Sequence, residues 1–343
     1  MSVAGLNHDP QSSGSVRSTR GVTGRDPTCR VETKDHGVKF TLEYPGDVAH
    51  ADARFLEGSM LVRISREAQD HGFEALCLAD HPAPSEKWFA AGGHDGFEPT
   101  VALAYAASAT TSLMLMTNLY VLPFRNPYLA AKALTTLDIL SGGRLVVGVG
   151  AGYLRSEFAA LGVNFGERAK LFDQHIEALR RIWLSPTVPV VGDGFGGTGE
   201  MRLQAPVQKP HPPLWIGGNS RAAIRRVVAA GQGWCPAIGS GQMASSIRTT
   251  PILDLDDLRR AVKRLRTELL RAERDPALIS IQVEAPPVDV ADSRSVQRFD
   301  ERTGELAEIG VTHLCVHADA RSVEAASDFI RGFGELIVRA GTG

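Results

Sequence analysis

The stretch Leu140–Val163, LSGGRLVVGVGAGYLRSEFAALGV, decides the fold. A Ser-Gly-Gly turn leads into the strand Leu145–Val149, which carries no polar side chain. Such a strand is buried on both faces, as in parallel sheets covered by helices. Gly148, Gly150 and Gly152 alternate at its carboxyl end, and a helix follows from about Leu154. Glycine there lets the backbone approach a ligand where a Cβ would collide. In parallel α/β folds, that end of the strand carries the active site. The segment therefore reads as a ligand-facing rim.

Working outward, strand and helix alternate from Gly37 onward. Strands are expected at Val38–Leu42, Ala75–Ala79, Leu113–Thr117, Leu145–Val149, Leu214–Gly217, Gly233–Pro236, Leu278–Val283 and Thr312–Val316. Helical patterns lie between them, including one from Leu154 to Leu184 with a break near Gly162–Gly166. Eight such units in about 300 residues suit a single (β/α)8 TIM barrel over residues 37–343. A doubly wound sheet has the same local pattern. Pro186–Pro213 reads as a hairpin-like insertion between strands 4 and 5, and Gly239–Pro251 as a loop above strand 6. Residues 1–36, rich in Ser, Gly, Thr and Arg, read as a disordered N-terminal extension.

Composition excludes several classes. Lys and Arg number 37 against 39 Asp and Glu, so no global field draws nucleic acid or anionic lipid. No apolar run nears the roughly 18 residues of a membrane span. The four cysteines, Cys29, Cys77, Cys235 and Cys315, show neither zinc nor disulfide-framework spacing, which points to a reduced, cytoplasmic location. No metal is expected.

Three segments carry chemistry. Strand 2 ends in Asp80-His81-Pro82, placing an acid and an imidazole at the barrel mouth; His is the side chain best suited to move a proton near neutral pH. Alone, the pair reads equally well as a loop cap and a packed ring. Strand 3 runs into Thr117-Asn118-Leu119, where an Asn could present its amide to a planar heterocycle or simply end the strand. After strand 5, Gly217-Gly218-Asn219-Ser220-Arg221 opens a helix whose free N–H groups and dipole favour an anion. The pattern GVGAGY is not a dinucleotide fingerprint: Tyr153 stands where the third glycine belongs, and Asp173, at the spacing of the ribose acid, lies in a helical pattern.

Together LCLADHP (76–82), the run from Met116 to Val163, PVQKPHPPLWIGGNSRAAIRR (206–226) and GQGWCPAIG (231–239) resemble, in order and spacing, the luciferase-like monooxygenase superfamily, in its branch using the deazaflavin coenzyme F420. The resemblance implies a barrel with the cofactor at the carboxyl ends of the strands. Carried over by position, Asp80 and His81 would stand at the ring face where substrate binds. Asn118 would contact the ring, and Asn118–Leu119 would be a non-proline cis peptide behind it. Gly150, Gly152 and Tyr153 would line the ring and ribityl side. Gly217, Gly218, Asn219, Ser220 and Arg221 would bind the cofactor phosphate, away from the common barrel site after strands 7 and 8. Some relatives carry a Glu where Tyr153 stands; Glu157 is the nearest replacement.

The implied activity is hydride transfer between F420 and a small organic substrate of alcohol, carbonyl or enone type, by a homodimer. A reduced-FMN monooxygenase is the nearest rival. A metal-dependent hydrolase using His81, His313, His317 and Asp319, and a flavin-holding binding protein, stand behind it. Trp88, Phe89, Phe97 and Phe195 are expected to give the substrate a partly apolar pocket.

Overall fold

The computed structural model describes residues 33–338. Eight parallel strands close into a barrel, each paired with the next and the last with the first. They are β1 (Lys39–Glu43), β2 (Ala75–Leu78), β3 (Met114–Val121), β4 (Leu145–Gly150), β5 (Leu214–Gly217), β6 (Gly233–Cys235), β7 (Ser280–Glu284) and β8 (His313–His317). The (β/α)8 expectation holds, and the doubly wound alternative is excluded because β1 pairs in register with both β2 and β8.

Two apolar layers hold the barrel. One lies between strands and helices and includes Leu76, Leu115, Val147 and Ile216. The other fills the interior, where Cys77, Met116, Val146, Trp215 and Cys315 meet. Alternation along each strand assigns successive side chains to these layers, so β4 must be apolar on both faces.

Local departures from expectation have local causes. The helical region after β4 divides into Arg155–Ala160 and Arg168–Leu184, joined by a left-handed Gly162 and a 3-10 turn at Phe165–Glu167. The insertion between β4 and β5 holds only a short antiparallel pair, Val191–Gly192 with Phe195–Gly196. The loop above β6 contains the helix Gly241–Ser246. Strand β3 runs four residues past its expected end, because Thr117 pairs with Val147 and Tyr120 with Val149, a one-residue bulge. Within that bulge the Asn118–Leu119 peptide is cis.

Of the expected extension, residues 1–32 lie outside the described residues. Residues 33–36 rest on the barrel: the Thr33 hydroxyl donates to Leu336 O at 2.8 Å, and His36 Nε2 lies 3.2 Å from Asp300. Among the described residues no helix is long and apolar enough to cross a membrane.

His313 sits at the amino-terminal end of β8, with its ring edge-on to Trp215 at 4.8 Å between centroids. Burial, with repulsion from Lys39, pushes its pKa down to about 4. An unfolded His titrates near 6.5, so His313 costs nothing above that pH. As pH falls from about 6.5 to 4 the unfolded chain gains a proton that the folded one refuses, and about 3 kcal/mol of stability is lost. Urea denaturation between pH 7.5 and 4.5 is expected to show this decline, with a shallower slope in His313→Gln. An unchanged slope would remove His313 as the cause.

Candidate active site

The carboxyl ends of the strands surround a cavity of about 630 Å³. Its floor is the β3 bulge. The glycines around it are required by that bulge: a Cβ on Gly148 would lie 2.1 Å from the Thr117 carbonyl oxygen, and one on Gly217 would lie 2.0 Å from Leu119 Cδ1. Gly152 has φ +75°, and a Cβ there would meet Val121 at 2.7 Å. Glycines in β4 and β5 thus let the Leu119 side chain lie across the barrel top as a shelf. Asn118 beside it makes a long contact, 3.9 Å, from its amide nitrogen to Cys315 Sγ.

On one side stands His81. Its Nδ1 lies 3.3 Å from Glu157 Oε1, and Glu157, from the helix Arg155–Ala160, is 2% exposed. A carboxylate accepts only, so Nδ1 carries the proton and Nε2 keeps its lone pair in the neutral ring. Nε2 points toward the Tyr153 hydroxyl at 3.5 Å, long for a hydrogen bond. Burial raises the Tyr153 pKa, keeping the phenol protonated. Trp88, from the helix Glu86–Ala90, packs against His81 with the rings tilted by 38° and 4.5 Å between centroids.

Asp80 lines the cavity beside His81 as expected, but it is paired within the protein. Its carboxylate takes both arms of Arg125, at 2.6 and 2.8 Å, and the Val121 N–H at 2.8 Å. Asp80 therefore anchors the end of β3, and its oxygens are committed to protein donors.

Across the shelf, Ser220 caps the helix Arg221–Ala230 by accepting the Ala223 N–H at 3.1 Å. Gly217, Gly218 and Ser220 line the cavity as expected. Asn219 does not: its amide nitrogen donates to Ala237 O and Thr250 O, both at 2.7 Å, and its oxygen accepts the Ala237 N–H. It ties the loops after β5 and β6 together. Arg221 is exposed on the helix exterior.

The cations at this end come instead from residues that sequence reasoning missed. Arg168 and Arg248 line the cavity, and both guanidiniums lie over the Phe165 ring, at 4.0 and 5.3 Å from its centroid. Arg155 covers the same ring at 4.4 Å. Among the described residues none of the three has a carboxylate partner. Burial, then Arg248 and Arg155, hold the Arg168 pKa down. Arg226 also lines the cavity but is neutralised by Asp173 at 2.5 Å, the acid whose spacing mimics a dinucleotide fingerprint.

The third side holds a cluster built by β1, β7 and β8. His317 lies between Glu43, 2.7 Å from Nδ1, and Glu284, 2.5 Å from Nε2. Burial opposes the charge on His317, but both carboxylates outweigh it and hold its pKa up to about 11. His313 and His317 share the inner face of β8 yet stand four residues apart, about 13 Å along the strand, so they do not form one ligand set. Of the aromatic residues expected in the wall, Phe97 packs on Tyr44 and Phe195 on Tyr128 instead.

A luciferase-like monooxygenase family model matches residues 49–298. The chain belongs to the luciferase-like monooxygenase family. It is an oxidoreductase of that class. It is 33% identical over 166 residues to an FMNH2-dependent dimethylsulfone monooxygenase of Pseudomonas putida, covering 47% of this chain and 44% of that one. It is 28% identical over 316 residues to an F420-dependent glucose-6-phosphate dehydrogenase of Beutenbergia cavernae, covering 79% of this chain and 90% of the relative. The crystal structure of the monooxygenase RslO1 from Streptomyces bottropensis superimposes with a TM-score of 0.69 at 20% identity, covering 88% of this chain and 99% of that one. That likeness is one of fold. Relatives of this luciferase-like class therefore include both F420-dependent and FMN-dependent enzymes.

Proposed function

We propose that this protein binds coenzyme F420 and catalyses hydride transfer between it and a small organic substrate. The observation that carries this reading is the set of three arginines, Arg155, Arg168 and Arg248, around Phe165, two of which, Arg168 and Arg248, line the cavity, and none of which has a carboxylate partner among the described residues. A phosphate monoester such as that of FMN carries at most two charges, whereas F420 continues past its phosphate into a chain of carboxylates. The longer alignment, to an F420-dependent dehydrogenase, supports the same reading.

The residues present fit such a group. Leu119 and the cis peptide offer a flat back for a ring, Gly150, Gly152 and Tyr153 border it, and the helix start at Ser220 with Arg168 and Arg248 suits the phosphate. When bound, F420 would supply a carbon that accepts or releases hydride. The protein's part is orientation, exclusion of water and one proton. His81 Nε2 would take the proton from a substrate hydroxyl, or return it to a carbonyl, while Glu157 fixes the tautomer and stabilises the imidazolium.

Use of reduced FMN is the second reading, favoured by the 33% identity to the dimethylsulfone monooxygenase. Fluorescence titration with F420 and FMN in parallel separates them. F420 is expected to bind at least tenfold more tightly than FMN, and Arg248→Ala to weaken F420 by about tenfold or more, the effect of one charge-assisted contact. Tighter binding of FMN would move the protein to the monooxygenase reading.

A further inference from the structure

The Glu43, Gln282 and Glu284 side of the cavity is not used by the cofactor site or the His81 proton step proposed above. Glu43 closes β1 and Glu284 closes β7, and their carboxylate oxygens come within 4.8 Å of one another. His317 meets one oxygen of each. Both carboxylates hold His317 protonated, so it is a cationic brace between them; burial raises the Glu43 pKa, and the wall is at most singly negative. The second oxygen of each carboxylate has no protein donor among the described residues.

Gln282 provides an independent observation. It is 3% exposed and lines the same cavity. Its Oε1 accepts the Thr41 hydroxyl at 2.9 Å, which leaves the amide nitrogen without a protein acceptor among the described residues. The amide N–H is open to the cavity, where a ligand acceptor can take the place of water on it.

The wall therefore asks for a partner that both donates and accepts. An ammonium would satisfy the carboxylates and leave the amide unmet. A carboxylate or phosphate would satisfy the amide and be repelled by the wall. A hydroxyl donates one hydrogen and accepts another, and two on adjacent carbons can serve both carboxylates and the amide together. We propose that Glu43, Gln282 and Glu284, braced by His317, recognise adjacent hydroxyl groups of a polyol-type substrate. This specificity rests on reading the cavity as the redox site, with the substrate lying between this wall and His81.

Calorimetric titration of the full chain with myo-inositol and D-glucose, and with cyclohexanol as the single-hydroxyl comparison, tests the proposal without turnover. The polyols are expected to bind at least about tenfold more tightly than cyclohexanol, and Glu284→Gln to weaken them by about tenfold or more. Glu284 is half-exposed at a strand end, so the variant should keep its fold, checked by circular dichroism. F420 titrated into the same variant should bind as to the parent. Polyols binding no better than cyclohexanol would overturn the proposal. So would a Glu284→Gln variant that loses F420 affinity in place of polyol affinity, since the wall would then hold the cofactor ring. Failure of F420 to bind the parent, with the polyol pattern intact, would remove the cofactor reading and leave this one standing.

Discussion

Replacing His81 with alanine is expected to lower kcat by about two to four orders of magnitude, the usual worth of a positioned acid–base group. The ring has an unprotonated Nε2 facing the cavity and the Tyr153 hydroxyl, a buried carboxylate behind Nδ1, and Trp88 packed against it, so it is oriented before any ligand arrives. Affinity for the cofactor should change little, because the shelf and the arginines stand on other elements. Glu157→Gln should lower kcat less and shift the pH profile, since the amide still orients the ring but no longer stabilises its charged form. Stopped-flow measurement of hydride transfer, with any substrate the parent protein turns over, reads both effects. A kcat within tenfold of the parent for His81→Ala would remove His81 from the proton step.

Asp80→Ala should act on stability before it acts on rate. The carboxylate is buried with Arg125, whose guanidinium also lies over Tyr120 at 4.0 Å. Removing one partner of a buried pair leaves the other charge uncompensated and costs about 3–5 kcal/mol. Glu98, 3.3 Å from the same guanidinium, recovers part of this, so the lower end is expected. Arg125→Met combined with Asp80→Ala should be less destabilising than the two changes summed, because the pair shares one interaction. Chemical denaturation of the four proteins gives the coupling. A stable Asp80→Ala protein with a large loss of kcat would instead return Asp80 to the reacting atoms.

The difference between Asp80 and His81 illustrates what could be read in the chain. Both stand at the end of a strand that was legible from its apolar run, so their location at the barrel mouth followed from topology. Their roles did not. Arg125, 45 positions downstream, consumes Asp80, and Glu157, 76 positions downstream, orients His81. Neither partner has a local pattern that marks it. The same applies to Arg168 and Arg248, which meet at Phe165 from separate elements, whereas the nearby Asn219 and Arg221 carried the local signal and turned to other uses.

Strand periodicity, glycine placement and helix-start chemistry are local properties, set by sterics and by hydrogen bonds within a few residues. They determined the eight strand–helix units, the rim after β4 and the anion-favouring helix at Ser220, while the cis peptide at Asn118–Leu119 was legible only through the family resemblance. Which side chains share a charge, a proton or a cavity wall depends on elements brought together by barrel closure. Only the tertiary structure decided that Gly148 and Gly217 make room for the β3 bulge and for Leu119, that Asp80 is an anchor, and that β1, β7 and β8 place Glu43, Glu284 and His317 within hydrogen-bonding reach. Coulomb and hydrogen-bond energies act over a few ångströms of space, and the order of residues along a chain does not encode those distances until the sheet closes.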